Sequence, residues 1–238
     1  MMKFDSFRLH DILIGSMSLS DKSTKKQNPL RARRNEEKEQ RRLTIIEAAE
    51  RVVAKRGWAE TNFGEIAEVT RLSRSLIYVY FPTKDDLLAA LVERANKSLG
   101  KRFHQAVAEA KNGNDAVVRM GSAFYRFSKE EPFYFEIISQ FDIMPSKDED
   151  DPGKGAAQAF RDCLEIPADS LKRGIQDSSI SKSIGDPKFA AFCLYAFTHG
   201  LIQMAACRPG MMEGFYRKSP DEAVADGMRL LNRAIATK

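Results

Sequence analysis

Three helix starts crowd between Thr61 and Leu88. Asn62 has the side chain to cap a short helix carrying Phe63, Ile66 and Ala67 on one face. Ser73 caps a second, in which Ile77 and Phe81 fall one turn apart and face inward. Pro82 cannot continue that helix with a normal hydrogen bond. Thr83 then starts a third, whose first turn holds Asp85 and Asp86, the charge sign favoured at a helix N-terminus. Two short helices joined by about three residues make a helix-turn-helix. The outward face of the second decides its use: Arg74, Ser75 and Tyr78, with Leu76 and Tyr80 beside them.

That face suits DNA. From Thr70 to Lys84 there is no acidic residue, in a chain that is 30% charged, and a helix approaching phosphates needs that absence. Arg74 carries the fork that reads guanine bidentately in a major groove, and Leu76 can meet a thymine methyl. Tyr78, Ser73, Thr61 and Lys84 supply the hydroxyls and ammonium that suit phosphate oxygens. Asn62, Arg71 and Tyr80 complete the candidate DNA-binding set.

The run Ile46-x-Ala48-Ala49, then Gly57, Thr61, Ile66-Ala67, Leu72-Ser73, Ile77-Tyr78-x-Tyr80-Phe81 and Thr83-Lys84-x-x-Leu87 resembles the TetR family of transcriptional regulators over roughly residues 39 to 95. The resemblance implies an all-α protein with a three-helix DNA-binding head, a larger helical ligand-binding body and a homodimer. Two positions depart from the pattern. Arg71 stands where the turn usually has Gly, which tolerates positive φ at little cost; the turn differs, or Arg71 adds a phosphate contact. Gly64 stands where many relatives carry a basic or polar DNA-reading residue, so readout leans on Arg74 and Leu76.

The charge is unevenly placed. Of a net +5, residues 22–42 hold nine Lys or Arg against three Glu, which leaves the remainder close to neutral. A basic arm on a balanced body suits nucleic acid at one end. A solvated charged tail is the plain alternative, and the helix-turn-helix tips the reading to DNA. Residues 1–36 are read as a flexible basic extension, 37–97 as the head and 98–238 as the body. The first twenty residues lack a clean signal-peptide core, since Asp5 and Asp11 interrupt it. They are an extension, or the product of an upstream start codon with Met17 as the real start. Three Cys without metal-ligand or C-x-x-C spacing argue for a reducing, cytoplasmic setting. No apolar run reaches the roughly 18 residues of a spanning helix, so no membrane partner is expected.

A first helix of the head runs from about Glu37 to Arg56, with Leu43, Ile46, Ala49 and Val53 as its inner stripe and Gly57 as its C′ residue. From Thr83 a long helix continues to about Lys111 and joins head to body. Asn112-Gly113-Asn114 stops it, with Asn114 capping the next helix, about 115–130; Pro132 begins another. Seven aromatic residues fall between Phe124 and Phe141. They are plain core or the lining of an apolar pocket, and Phe124, Phe127, Tyr134, Phe141 and His199 are the candidate ligand contacts. Residues 145–155 read as an acidic loop without the alternating spacing of a calcium site. A helix from about Ala156 breaks near Ile166-Pro167 and resumes with Leu171. The segment about 187–207 is apolar on nearly all sides, so it is buried in the core or against another subunit. The last helix spans about 220–236. The resemblance implies that these last two long helices form a four-helix dimer interface.

No catalytic set is found: no G-x-S-x-G, no P-loop, no H-E-x-x-H, and no cofactor is implied. The expectation is a homodimeric regulator that binds a double-stranded DNA operator and is released from it by a small, largely apolar effector. The rivals are a constitutive DNA-binding dimer, an activator, and an enzyme with a DNA-binding appendage.

Overall fold

The structure, a computed structural model, describes residues 29–140, 151 and 153–237. Residues 1–28 of the expected 1–36 extension, Phe141 and most of the acidic loop lie outside the described residues. Ten α-helices are described: α1 (Pro29–Arg56), α2 (Phe63–Thr70), α3 (Arg74–Tyr80), α4 (Lys84–Ala108), α5 (Gly113–Glu130), α6 (Pro132–Gln140), α7 (Gly153–Gln176), α8 (Pro187–Cys207), α9 (Pro209–Tyr216) and α10 (Pro220–Ile235). Among the described residues there is no strand, only an isolated bridge between Ile180 and Ala236. The architecture is all-α, a helix-turn-helix head followed by a larger helical body.

Residues up to Glu39 and those from Gln40 onward form two separate compact units. In the first, the helix begins at Pro29, eight residues before the expected Glu37, and Arg33 Nε pairs with Glu37 Oε1 at 3.2 Å. Lys and Arg are good helix formers, so a basic composition did not prevent helix there.

In the second unit the head closes on Ile45, Ile46, Ala49, Phe63, Ile66, Ile77, Phe81, Leu87 and Leu91. Fully burying one such Ile, Leu or Phe contributes about 1.5–3 kcal/mol, so this cluster is what holds α2 and α3, each too short to stand alone. Gly57 ends α1 with φ +79°, as its C′ position requires. Ile137 of α6 and Ala156 of α7 belong to the same cluster, so packing is continuous across the expected boundary near residue 97.

α4 is the central helix of the body and packs chiefly on α7 and α5. Two expectations are corrected here. The cap of α5 is Asn112, whose Oδ1 accepts from Asp115 N at 2.9 Å, rather than Asn114. The reason is packing: a Cβ on Gly113 would lie 2.1 Å from Gly174 N, so α5 needs its glycine inside the first turn, against α7. α7 runs unbroken through Pro167. Proline removes one hydrogen bond, but Cys163, Pro167, Ala168 and Leu171 are all buried and their packing outweighs it. For α8, expected to be buried in the core or against another subunit, the core of one chain covers only one face. Ala191, Thr198, Ile202 and Ala205 face in, while Phe189, Phe192, Phe197 and Met204 are exposed. α9, which sequence reading missed, adds exposed Phe215 and Tyr216, and α10 adds Leu230.

At 21 residues α8 is long and apolar enough, by length and composition, to cross a membrane, against the expectation that no such run exists. The same criterion is met by a bundle helix, and α8 packs on α7 and α10.

Candidate nucleic-acid interface and body cavities

The helix-turn-helix is set by local hydrogen bonds. Asn62 Oδ1 accepts from Gly64 N at 2.9 Å and Glu65 N at 3.2 Å, which starts α2. Arg71 ends α2 in the left-handed region, φ 57° and ψ 29°. The turn therefore keeps the geometry glycine would give it, with strain borne by an arginine. Ser73 Oγ accepts from Leu76 N at 3.2 Å and caps α3, and lies 3.0 Å from Ser75 Oγ. Thr83 and Asp86 form a reciprocal capping box on α4.

On α3, Ile77 is fully buried and Phe81, its C-cap, nearly so. The opposite face carries Arg74, Ser75, Tyr78 and Val79, all exposed. Val79, absent from the predicted set, is 72% exposed; its position two residues past Ile77 is the signal that could have found it. Tyr78 leans edge-on against Phe63, ring centroids 5.0 Å apart, which directs an aromatic from the core outward. Leu76 is half-buried, and Tyr80 packs partly on the head's core. A Cβ at Gly64 would lie 2.9 Å from Asn62 Oδ1, the cap of α2, and in ordinary contact, 3.9 Å, with Arg74 Cζ and Nε.

Two predicted phosphate contacts point inward instead. Thr61 is 3% exposed and its hydroxyl donates to Gly57 O at 2.9 Å. Lys84 Nζ donates to Trp58 O at 2.6 Å and Ala59 O at 3.2 Å, and lies 4.7 Å from the Trp58 ring centroid. Both fasten the link between α1 and α2. Asn62, Arg71 and Ser73 are exposed with their backbone roles filled.

The cavities of the body include two that border α4. The larger, about 670 Å³, lies open to solvent between α4, α5, α7, α8 and α10, with Phe103, Met120, Phe124, Tyr195, Val224 and Met228 in its apolar wall and Arg119, Arg126, Asp221 and Arg229 also in its lining. The smaller, about 360 Å³, lies where α4, α6, α7 and α8 meet. Tyr195 borders both. Of the predicted ligand contacts, Phe124 lines the larger cavity and His199 the smaller. Phe127 does neither; it is fully buried below Arg102, whose Cζ is 5.8 Å from its ring centroid. Tyr134 is not a cavity residue but a tie to the head. Its hydroxyl donates to Glu50 Oε1 at 2.5 Å, and Arg94 Nε reaches the same oxygen at 3.1 Å. Burial, and then that bond to a carboxylate, hold the Tyr134 hydroxyl well above its ordinary pKa. Glu50 is raised by burial.

Sequence reading missed Asn96, although it is a polar residue on the inner stripe of α4. It is 1% exposed; Nδ2 donates to Val92 O at 3.1 Å and Oδ1 has no partner. A buried acceptor left unpaired costs about 1–3 kcal/mol. His199 has its pKa lowered by burial and is neutral at pH 7. Burial also pushes the Cys163 thiol up to about 12, which makes it inert as a thiolate. Among the described residues no three His, Cys, Asp or Glu are placed to hold a metal.

A three-helix head that presents an acid-free α3 defines a helix-turn-helix DNA-binding protein. Residues 45–91 match the family described as bacterial regulatory proteins, tetR family. The match covers the helix-turn-helix segment of the chain and not the body. The chain is 37% identical over 89 residues to the HTH-type transcriptional regulator TtgR of Pseudomonas putida, a match that covers 37% of this chain and 40% of the relative. The match thus spans less than half of that relative. Two solved structures share the fold along most of both chains. SmeT, the repressor of the Stenotrophomonas maltophilia multidrug efflux pump SmeDEF, has a TM-score of 0.58 at 21% identity, covering 83% of this chain and 91% of that one. RolR in complex with resorcinol has a TM-score of 0.63 at 20% identity, covering 85% and 91%.

Proposed function

We propose that this chain is a sequence-specific DNA-binding transcriptional regulator, a homodimeric repressor that a small, largely apolar ligand releases from its operator in the cytoplasm. The observation that carries the reading is the exposed, acid-free face of α3, with Arg74, Ser75, Tyr78 and Val79 held outward by buried Ile77. In this reading Arg74 reads a guanine, and Leu76 and Val79 meet thymine methyls. Ser73, Arg71 and Tyr80 hold phosphates. The exposed apolar side chains of α8, α9 and α10 support a dimer through α8 and α10, because a monomer rarely leaves such a patch to water. The 670 Å³ cavity is of a size that takes a small molecule, and the resorcinol complex of RolR and the efflux-linked role of SmeT support a small-molecule effector.

The test is titration of the purified protein against DNA from upstream of its own gene and against scrambled DNA, at two salt concentrations. The native DNA binds more tightly, with a steep loss of affinity on adding salt. Arg74→Ala weakens operator binding by about 1–3 kcal/mol at one base position and leaves scrambled DNA nearly unchanged. Equal weakening on both DNAs removes Arg74 as a base reader, and equal weak binding to both refutes recognition of that site. A constitutive dimer would show operator binding that no ligand shifts.

A further inference from the structure

The start of α1 carries a charge pattern that its own fold leaves unpaired. Over residues 30–39 four cations and three carboxylates nearly cancel, so net charge attracts an anion only weakly. What distinguishes the segment is how the charges are sorted. It is helical from Pro29. At about 100° per residue, Arg31, Arg34 and Lys38 fall within an arc of about 60°. Glu36, Glu37 and Glu39 all lie about 90° or more from the centre of that arc. Arg31, Arg34 and Lys38 are exposed, and none has a side-chain partner among the described residues. Arg33, off the arc, pairs instead with Glu37, Nε to Oε1 at 3.2 Å.

The stripe works against the helix that presents it. Arg31 and Arg34 are three residues apart and Arg34 and Lys38 four, and like charges at those spacings destabilise a helix. An anion laid along the face removes the repulsion. Arg31 and Lys38 are about 10 Å apart along the axis, so the stripe matches a row of charges rather than a point. Duplex DNA offers such a row, about one phosphate charge per 1.7 Å of its axis, and the arginine forks suit phosphate oxygens. The chain from Lys38 to Ile45 of the head's core spans at most about 25 Å however it runs. DNA read by α3 therefore brings its flanking phosphates within reach. An anionic membrane fits less well: over residues 30–39 Leu30 and Ala32 are the only apolar side chains, too few for a face that inserts among headgroups.

We propose that Arg31, Arg34 and Lys38 form a second, sequence-independent DNA contact, laid along the phosphates beside the half-site that α3 reads. The proposal rests on the DNA-binding reading and adds to it a surface outside the helix-turn-helix. The face carries it rather than the basic composition, because a solvated arm would use all of its cations alike.

The experiment titrates the full-length protein over a range of salt with two duplexes of equal length, one from upstream of its own gene and one scrambled. The parent is compared with the triple variant Arg31→Gln, Arg34→Gln, Lys38→Gln, and with Arg33→Gln. A further control, Lys101→Gln, Arg161→Gln, Lys182→Gln, removes the same charge from exposed positions of the body. Glutamine keeps helix propensity, and circular dichroism with thermal melting establishes that each variant folds. Loss of three phosphate contacts should lower the slope of log affinity against log salt by about 2.7 per bound chain, equally on both duplexes. The preference for native over scrambled DNA should stay within about twofold of the parent's. Arg33→Gln and the body variant should keep the parent's slope. Should the triple variant lose its helix, Lys38→Gln alone is read, with an expected fall of about 0.9. An unchanged slope in the triple variant, an equal fall per charge in Arg33→Gln or the body variant, or a loss confined to the native duplex would each overturn the proposal. So would binding to vesicles of anionic lipid that the triple variant loses while its DNA slope is unmoved. A parent that binds neither duplex refutes the DNA-binding reading, and this contact with it. A steep parental slope that the triple variant shares refutes this contact alone.

Discussion

Lys84→Met separates a structural lysine from a phosphate contact. Methionine keeps the unbranched stem and deletes the ammonium that donates to Trp58 O at 2.6 Å and Ala59 O at 3.2 Å. A hydrogen bond from a charged donor contributes about 1.5–3 kcal/mol, and a cation over a partly exposed ring about 0.5–1 kcal/mol more. The second bond is longer and the side chain only half-buried, so we take the sum near the lower end, about 2–3 kcal/mol. In a chain of this length that lowers the melting temperature by about 4–12 °C. Urea denaturation and calorimetry read this loss. The same variant is then titrated with operator DNA over a range of salt. Each phosphate contact contributes about 0.9 to the slope of log affinity against log salt, and an inward lysine predicts no change in slope. A variant of unchanged stability whose slope falls by about 0.9 would refute the reasoning and return Lys84 to the phosphate backbone.

Other outcomes are expected from single positions. Arg71→Gly relieves a left-handed arginine at φ 57° and should raise stability by about 1 kcal/mol, seen as a higher urea midpoint at unchanged slope. Gly113→Ala drives a Cβ to 2.1 Å from Gly174 N; it should cost about 3 kcal/mol or more, because both partners are backbone and cannot turn away. His199 titrates below its ordinary 6.5 in the folded chain. As pH falls through 6.5 the unfolded chain takes the proton first, so stability present at pH 7.5 declines toward the folded pKa. His199→Gln should flatten that part of the stability curve, and an identical curve would remove His199 from the acid response.

The caps were legible because each depends on a few adjacent residues. Asn62, Ser73 and Thr83 bond to amides two or three positions ahead, and Ile77 and Phe81 share a face by helical spacing alone. The chemistry of the α3 face was legible for the same reason, although Val79, 72% exposed, was left out of it. The sequence by itself therefore determined an all-α chain with a helix-turn-helix and an outward arginine. Partners distant in the chain decided the rest. Lys84 and Thr61 have side chains that suit phosphates, yet carbonyls at the end of α1 and in the link after it lie within their reach. Tyr134 meets Glu50 across the head–body contact instead of lining a cavity. Pro167 stays in a helix because its neighbours are buried on three sides by α4, α5 and α8. Asn96 stands out only because packing buries its amide oxygen with no donor in reach. Local hydrogen bonds are encoded at short spacing, whereas burial and orphaned polar atoms come into being only when distant helices pack.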